Sequence, residues 1–416
     1  MPVVSFADVT DGIHGSPVWV EEGGVTYLSA KCVKDNYFVL TDAGQISREQ
    51  DEQNPRTRAR LSDVLLTTVG TIGNAAVVYE DILPANMDRH LGIIRIRKNA
   101  SVDPYYLAAF LNSEFGRFQT LREATGNVQL NLFIEKIKTL LVPTGDHFNE
   151  VGKTVRQAYQ KQRDSEDLYA QAQALLTAEL RLDRLDLSEG LYSVRRASEA
   201  LQAGRIDAEY FQPKYEQLLQ QLEQAKSKGW ALDKLGNLSA PLRYGTSTKL
   251  EYLDDGVPFL RITDVRQYRF HLDEIRYISL EAAEAEQQAK VKTGDVLISR
   301  SGTLGLAVAI PQNLDGAVFG SYFIRTRPDP GKLDSVYLAL YLNSLAGQFQ
   351  VEQSNTGAIQ TNLTIQVLET LQVVIPPMEI QLAFDRKVQQ AFEAQDDAKC
   401  LLAEARAEVE RMIEAA

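Results

Sequence analysis

Asp63-Val64-Leu65 recurs in this chain as Asp295-Val296-Leu297, an offset of 295 − 63 = 232 residues. Gly70-Thr71-Ile72-Gly73 recurs as Gly302-Thr303-Leu304-Gly305 at the same offset. Further on, Ile94-Arg95-Ile96-Arg97 answers to Ile324-Arg325-Thr326-Arg327, and Tyr106-Leu107 to Tyr337-Leu338. Leu111-Asn112-Ser113 answers to Leu342-Asn343-Ser344, Thr125-Gly126 to Thr356-Gly357, and Asn131-Leu132 to Asn362-Leu363. Chance supplies one or two such matches, but not an ordered set whose offset drifts by only a residue or two. The chain is an internal duplication, roughly 1–187 and 188–416, and each half must fold as a version of one unit.

Each half opens with short strand-like runs. Val25–Leu28 and Val257–Ile262 are rich in β-formers, and Val64–Val69 and Val296–Ser301 read as strands that stop at glycine. Ala75–Val78 and Ala307–Ile310 supply the returning strands. Segments 104–118 and 334–349 place apolar residues at helical spacing. Each half then closes on a long helix. One seam runs Val151, Val155, Ala158, Gln162, Ser165, Tyr169, Ala172, Leu176, and the other Phe384, Val388, Ala391, Gln395, Ala398, Leu402, Ala405, Val409. Both alternate steps of four and three, the heptad pattern of a coiled coil, with a polar Gln162 or Gln395 at the matched place as a register device. The alternative is two unrelated amphipathic helices. The expected fold is α+β: two copies of one domain of short strands plus helices, separated by two long helices that pair as an antiparallel coiled coil. The divisions fall at 1–145, 146–187, 188–376 and 377–416. A helix of this length makes a rod of ~50 Å at ~1.5 Å per residue.

Hydrophobic residues make up 44% of the 416, enough for a core in each half. No stretch approaches the ~20 apolar residues of a membrane span. The N-terminal residues lack the basic and apolar regions of a signal peptide. Cys32 and Cys400 stand far apart, which suits a reducing cytoplasm and excludes a disulfide framework. The net charge of −12 argues against a nucleic-acid binder taken as a whole. Charge is unevenly spread, however: after Pro377 come Glu379, Asp385, Glu393, Asp396, Asp397, Glu404, Glu408, Glu410 and Glu414 against five basic residues. A basic face elsewhere is compatible with the total.

Motifs of catalysis are weak. Asp103-Pro104-Tyr105-Tyr106 is close to an amino-methyltransferase Asp-Pro-Pro-Tyr motif but lacks the second proline, and its repeat partner is Asp334-Ser335-Val336-Tyr337. An aspartate N-cap followed by proline at the first helical position accounts for it. Gly70–Gly73 is too short for a phosphate cradle, and a hairpin turn is the better reading. The histidines His14, His90, His147 and His271 are too scattered to suggest a metal site.

The order of these motifs resembles the specificity (S) subunit of type I restriction-modification systems. The resemblance is carried by Gly12-Ile13-His14-Gly15-Ser16-Pro17, by Gly294 through Gly305, and by Gly357 through Asn362-Leu363 to Val374-Ile375-Pro376-Pro377. Arg205 through Tyr215 is similar to the segment that leads into such a recognition domain. The first half has no counterpart of that segment: either the chain is slightly truncated there or the first domain dispenses with the helix. The resemblance implies a non-catalytic DNA-binding subunit in the cytoplasm. Each domain would read one half of a split double-stranded DNA target. The helices would set the spacing and dock two methyltransferase (M) subunits, with a restriction/translocase (R) subunit joining for cleavage. S-adenosylmethionine, ATP and Mg would be bound by those partners, none by this chain. Competing readings are the specificity subunit of another restriction or phage-defence system, a stand-alone enzyme, and a duplicated scaffold or ligand-binding protein.

On that reading, loops bearing Arg, Lys, Asn, Gln, Ser and Thr would reach phosphates and base edges. In the first domain these are His14, Ser16, Lys31, Arg56, Arg58, Arg60, Arg89, His90, Asn127 and Gln129. In the second they are Arg243, Tyr244, Thr246, Ser247, Lys249, Arg266, Arg300, Ser321, Tyr322, Gln360 and Thr361. Arg56, Arg58 and Arg60 alternate and would share one face of a strand. Gln129 and Gln360 lie in matched glycine-containing loops.

Overall fold

The computed structural model of the chain describes residues 1–126, 129–188, 194–272, 275–355 and 362–415. These fall into two compact units, residues 1–165 with 392–416 and residues 166–391.

Unit 1 opens with strands β1 (Ala7–Asp11), β2 (Val25–Leu28) and β3 (Gly44–Ile46) and helix α1 (Arg48–Gln53). Strands β4 (Val64–Thr67), β5 (Ala75–Val77), β6 (Ala85–Met87) and β7 (Leu91–Ile96) follow, then helices α2 (Pro104–Asn112), α3 (Glu114–Glu123), α4 (Ile134–Ile137) and α5 (Asp146–Glu179). One sheet has the order β1-β7-β4-β5 and a second β3-β2-β6. Strand β4 is buried throughout, as a central strand with both faces covered must be.

In the second half come α6 (Ala197–Ala203), α7 (Pro213–Glu223), β8 (Ala231–Lys234), α8 (Leu235–Leu238), β9 (Ser239–Tyr244) and β10 (Val257–Leu260). Next are β11 (Val265–Arg266), β12 (Arg269–Phe270), β13 (Arg276–Ile278), α9 (Leu280–Ala285), β14 (Val296–Ser299), β15 (Ala307–Ala309), β16 (Val318–Phe319) and β17 (Phe323–Pro328). The chain ends with α10 (Ser335–Asn343), α11 (Leu345–Asn355), α12 (Ile365–Thr370), β18 (Gln372–Ile375) and α13 (Met378–Glu414). The sheets β9-β17-β14-β15 and β13-β10-β16 repeat those of unit 1 strand for strand. The duplication read in the sequence is thus a duplication of topology.

The register corrects one correspondence. Val64 pairs with Ile94 and Val296 with Thr326, so the offset between β7 and β17 is still 326 − 94 = 232. Ile94–Arg97 therefore does not answer to Ile324–Arg327; Arg95 answers to Arg327. The buried carboxylates explain why: Asp63 accepts from Arg95 at 2.8 and 2.6 Å, and Asp295 from Arg327 at 2.6 and 2.8 Å. Isoleucine-arginine alternation makes a two-residue slip invisible in sequence, since it keeps every side chain on its own face.

The expected single helices over 104–118 and 334–349 are each two helices. The break comes at Ser113 and Ser344, between α2 and α3 and between α10 and α11. Ser113 Oγ accepts the Gly116 N–H and so caps α3. Gly116 and Gly347 sit against the backbone of the preceding helix, where a Cβ would collide with the Phe110 or Leu342 carbonyl oxygen. Before each break, Asn112 and Asn343 hydrogen-bond both backbone groups of Ala75 and Ala307, at 2.7–3.0 Å. The Leu-Asn-Ser repeat is therefore a device that ties a helix end to a sheet edge. Asp103 is the N-cap of α2, accepting from the Tyr105 and Tyr106 N–H groups with Pro104 at the first position, and Asp334 caps α10. Gly70–Gly73 is the β4–β5 hairpin turn, with Gly70 and Gly73 at positive φ.

The seam positions are buried except Gln162 and Leu402. In unit 1, Val151 and Val155 of α5 share one core with Ala405 and Val409 of α13, and Lys161 pairs with Asp397 at 2.8 Å. Ascending numbers on one helix meet descending numbers on the other, so the pairing there is antiparallel. Ala158 is buried and Gln162 half-buried; Gln395 is 8% exposed and Leu402 half-buried. In unit 2, Val388 and Ala391 are buried. Two seam residues also pack into the domain of unit 2. Tyr169 stacks on Tyr268 at 4.2 Å, and Phe384 lies 5.8 Å from the Tyr337 ring. Helix α5 ends at Glu179, after which Arg181 takes a left-handed backbone. Among the described residues no helix is long and apolar enough to cross a membrane.

The segment Arg205–Tyr215 leads into α7, which packs on α11. Lys214 reaches Glu352 at 2.9 Å, Tyr215 meets Phe349 edge-on, and Leu218 and Leu222 are buried. The equivalent residues of α3 in unit 1, Phe118 and Leu121, are 60% and 50% exposed.

Candidate nucleic-acid interface

In both units the ends of three strands converge at one sheet edge. In unit 1, Asp11 at the end of β1 pairs with Gly92 of β7, and Leu66 near the end of β4 pairs with the same Gly92 from the other side. In unit 2, Tyr244 at the end of β9 and Ile298 of β14 flank Ile324 of β17. The loops leaving these strands are knitted by matching backbone hydrogen bonds. Ile13 N–H donates to the Met87 carbonyl at 2.7 Å and Thr246 N–H to the Phe319 carbonyl at 3.0 Å. Thr68 N–H donates to His90 and Arg300 N–H to Tyr322, at 3.0 and 2.8 Å. Leu132 N–H then donates to Thr68 and Leu363 N–H to Arg300, at 2.9 and 3.0 Å. Gly12 and Gly245 permit the close approach, for a Cβ at either would collide with the facing carbonyl oxygens of residues 87–88 or 319–320.

This shared backbone lattice carries unlike side chains. Asp11 and Tyr244 occupy one place, His14 and Ser247 the next, Arg89-His90 and Ser321-Tyr322 another, and Thr68 and Arg300 a fourth. In unit 1 the result is a charged cluster. Asp11 holds His14 at 2.6 Å and Arg56 at 3.4 Å, and Asp88 holds His90 at 2.8 Å. Beneath it, burial and then the Asp88 charge push the Tyr27 phenol up to about 12, opposed by Arg89. In unit 2 the result is aromatic. The Arg300 guanidinium lies 4.8 Å over the Tyr244 ring, and the Tyr244 hydroxyl accepts the Ile365 N–H at 3.1 Å.

The expected residues thus divide. His14, Arg56, Arg89 and His90 come together in unit 1, and Tyr244, Ser247, Arg300, Ser321 and Tyr322 in unit 2. Ser16 is exposed on the same loop as His14, and Lys31 follows β2, whose Leu28 carbonyl accepts from Asp88 N–H. Gln129 is exposed, its carbonyl packed against Gly126. Lys249 is exposed beyond Ser247, and Arg243 is exposed on β9 opposite Arg325. Arg266 lies apart on the β11–β12 ribbon. Asn127, Gln360 and Thr361 fall outside the described residues.

Two expectations need correction. Arg56, Arg58 and Arg60 share no strand face: 55–57 is a turn of 3-10 helix and 58–60 is irregular, because Pro55 has no N–H to give a ladder. Arg58 is drawn to Asp51 at 2.8 Å. Thr246 is only 9% exposed, with its hydroxyl accepting the Thr248 N–H, so it shapes the loop instead of facing outward. Sequence reasoning missed Asp11, an acid in a search made for cations; its place before Gly12-Ile13-His14 was the available signal. Among the described residues no cluster of three or more His, Cys, Asp or Glu side chains could hold a metal ion.

Residues 228–397 match the family described as the type I restriction modification DNA specificity domain. The chain is 24% identical over 161 residues to the EcoBI specificity subunit of type I restriction enzyme from Escherichia coli, covering 39% of this chain and 34% of that protein. It is 27% identical over 169 residues to the StySPI specificity subunit from Salmonella potsdam, covering 39% and 36%. The match spans about a third of the length of these relatives. Among solved structures, the S subunit of a type I restriction-modification system from M. genitalium aligns over 99% of this chain and 93% of that one, at 12% identity and a TM-score of 0.43. Residues 228–397, in the second half, are thus similar to the type I restriction modification DNA specificity domain, and the two sheets of that half are repeated strand for strand in the first.

Proposed function

We propose that this chain is the non-catalytic, sequence-reading subunit of a type I restriction-modification complex, and that each unit reads one half of a bipartite double-stranded DNA target. The observation that carries this reading is the shared lattice with unlike side chains. One scaffold displays a charged set around Asp11 and an aromatic set around Tyr244 at equivalent positions. That is how two domains of common origin come to read different half-sites. Phosphate contacts from exposed cations such as Lys31, Arg89 and Lys249 would position the duplex, and side chains at the lattice would meet base edges. The pair α5 and α13 would dock the methyltransferase subunits and set the spacing, with S-adenosylmethionine, ATP and Mg bound by the partners.

The test is methyl transfer. The full chain is incubated with labelled S-adenosylmethionine and mixed DNA, alone and with its methyltransferase subunit. Label should enter DNA only in the assembled complex, at a two-part motif. Transfer by the pure chain, or transfer by the complex at no common motif, overturns the reading.

A further inference from the structure

Arg300 differs from Arg56 and Arg58 in having no carboxylate partner, and from the exposed Arg89, Arg243 and Lys249 in being half-buried and stacked. Arg56 and Arg58 are committed to the carboxylates of Asp11 and Asp51. The Arg300 guanidinium forms no hydrogen bond or ion pair among the described residues. Its Nε is buried without a partner. The side chain is held flat instead, over the Tyr244 ring, and that ring is fixed by its hydroxyl on the Ile365 N–H. Arg300 is also anchored on both backbone groups, by Tyr322 and Leu363. A planar cation is therefore preorganised at the centre of the lattice with its donors unspent. Its place in unit 1 is taken by Thr68, which is buried.

Stacking fixes the plane of a guanidinium and leaves its edge to donate two parallel N–H groups. A ligand that satisfies such an edge presents two acceptors side by side. On the major-groove edge of a base pair only guanine does so, through O6 and N7; adenine offers one acceptor beside a donor that would oppose the guanidinium. A phosphate also has paired oxygens, but a phosphate contact needs no ring to hold the plane, and Lys249 and Arg243 are exposed nearby for that purpose.

We propose that Arg300 reads a guanine in the half-site bound by unit 2, with Tyr244 as the positioning residue that holds the guanidinium in plane. The assignment rests on the DNA-reading function above. It accounts for the aromatic composition of this edge, since Tyr244 stands where unit 1 has Asp11, an acid that would neutralise the cation.

The assembled wild-type complex is used to select sites from a randomised duplex library, and the bound motif is read out. One half of the motif should contain an invariant guanine that is lost in Arg300→Lys and Arg300→Gln, while the other half stays enriched and reports a folded, bound complex. Tyr244→Leu should weaken the preference at the same base alone. Loss of a bidentate contact corresponds to roughly 10- to 100-fold in discrimination. A second measurement needs no variant: 7-deazaguanine, which lacks N7, replaces each motif guanine in turn. At one position it should weaken wild-type binding about 10-fold or more. A wild-type motif whose guanines all tolerate 7-deazaguanine, or variants with an unchanged motif, would overturn the assignment and leave DNA reading intact. If the wild-type complex enriches no motif, the function itself fails and the assignment with it.

Discussion

At the scale of the residue, what the two halves share most closely is structural rather than functional. Asn112 and Asn343 each give a side-chain acceptor and donor to the backbone of an alanine in the neighbouring strand. Asn112 is 1% exposed, so its truncation leaves the Ala75 N–H without its partner, while the Ala75 carbonyl keeps the Asn36 N–H at 2.9 Å. A buried group left so costs about 1–3 kcal/mol. Asn112→Ala should therefore lower the stability of unit 1 by roughly 1–3 kcal/mol, read as an earlier denaturant midpoint for that unit, with the midpoint of unit 2 unchanged. An unshifted midpoint would show that water replaces the side chain and that the tie is dispensable. The residues that differ between the halves, Asp11 against Tyr244 and Thr68 against Arg300, sit on the same backbone positions. Constant side chains tie the shared framework together, and variable ones are displayed on it.

At the scale of the element, the long helices are amphipathic on a stripe wider than a coiled-coil seam. Val155 and Val409 are fully buried in a core that also holds Tyr106 and Phe110 of α2. Each helix is thus part of a domain core as well as of a pair. Val409→Ala should cost unit 1 about 2 kcal/mol through the cavity it leaves. Leu401→Ala, on the half-buried flank of the same helix, should cost less than half as much. Equal losses, measured by thermal unfolding of the full chain, would mean that α13 is not held by its seam. The breaks at Ser113 and Ser344 show the same economy at the ends of shorter helices. A capped restart and a glycine against the preceding turn fold two helices where the apolar spacing alone suggested one.

At the scale of the whole molecule, the chain is two versions of one domain with long helices running on from each, and α5 and α13 are each continuous in sequence between residues of unit 1 and unit 2. If helix length sets the distance between half-sites, a heptad inserted in both α5 and α13 keeps the seam in phase and lengthens the spacer by about 10 Å at ~1.5 Å per residue. At ~3.4 Å per base pair this is about three pairs. Site selection from a library of varied spacers should shift accordingly, while a heptad in α5 alone should destabilise the pair. An unchanged preferred spacer in the double insertion would remove the helices from spacing. Nine of the acids behind the net charge of −12 lie on α13.

The amino-acid sequence by itself determined the duplication, the strands that end at paired glycines, the Asp103 cap and both heptad stripes. The duplication is written in an ordered recurrence at a nearly constant offset, and the others in neighbours a few residues apart, where periodicity and capping act directly on the backbone. Only the tertiary structure decided the alignment of β7 with β17, because a two-residue slip preserves every face and just the pairings of Asp63 with Arg95 and Asp295 with Arg327 forbid it. The same holds for the candidate site. Arg56 meets Asp11 across 45 residues and Arg300 meets Tyr244 across 56, and no local pattern says which cation will be neutralised and which left with its donors unspent. That choice belongs to the sheet edge, where strands distant in sequence are set side by side by their hydrogen bonds.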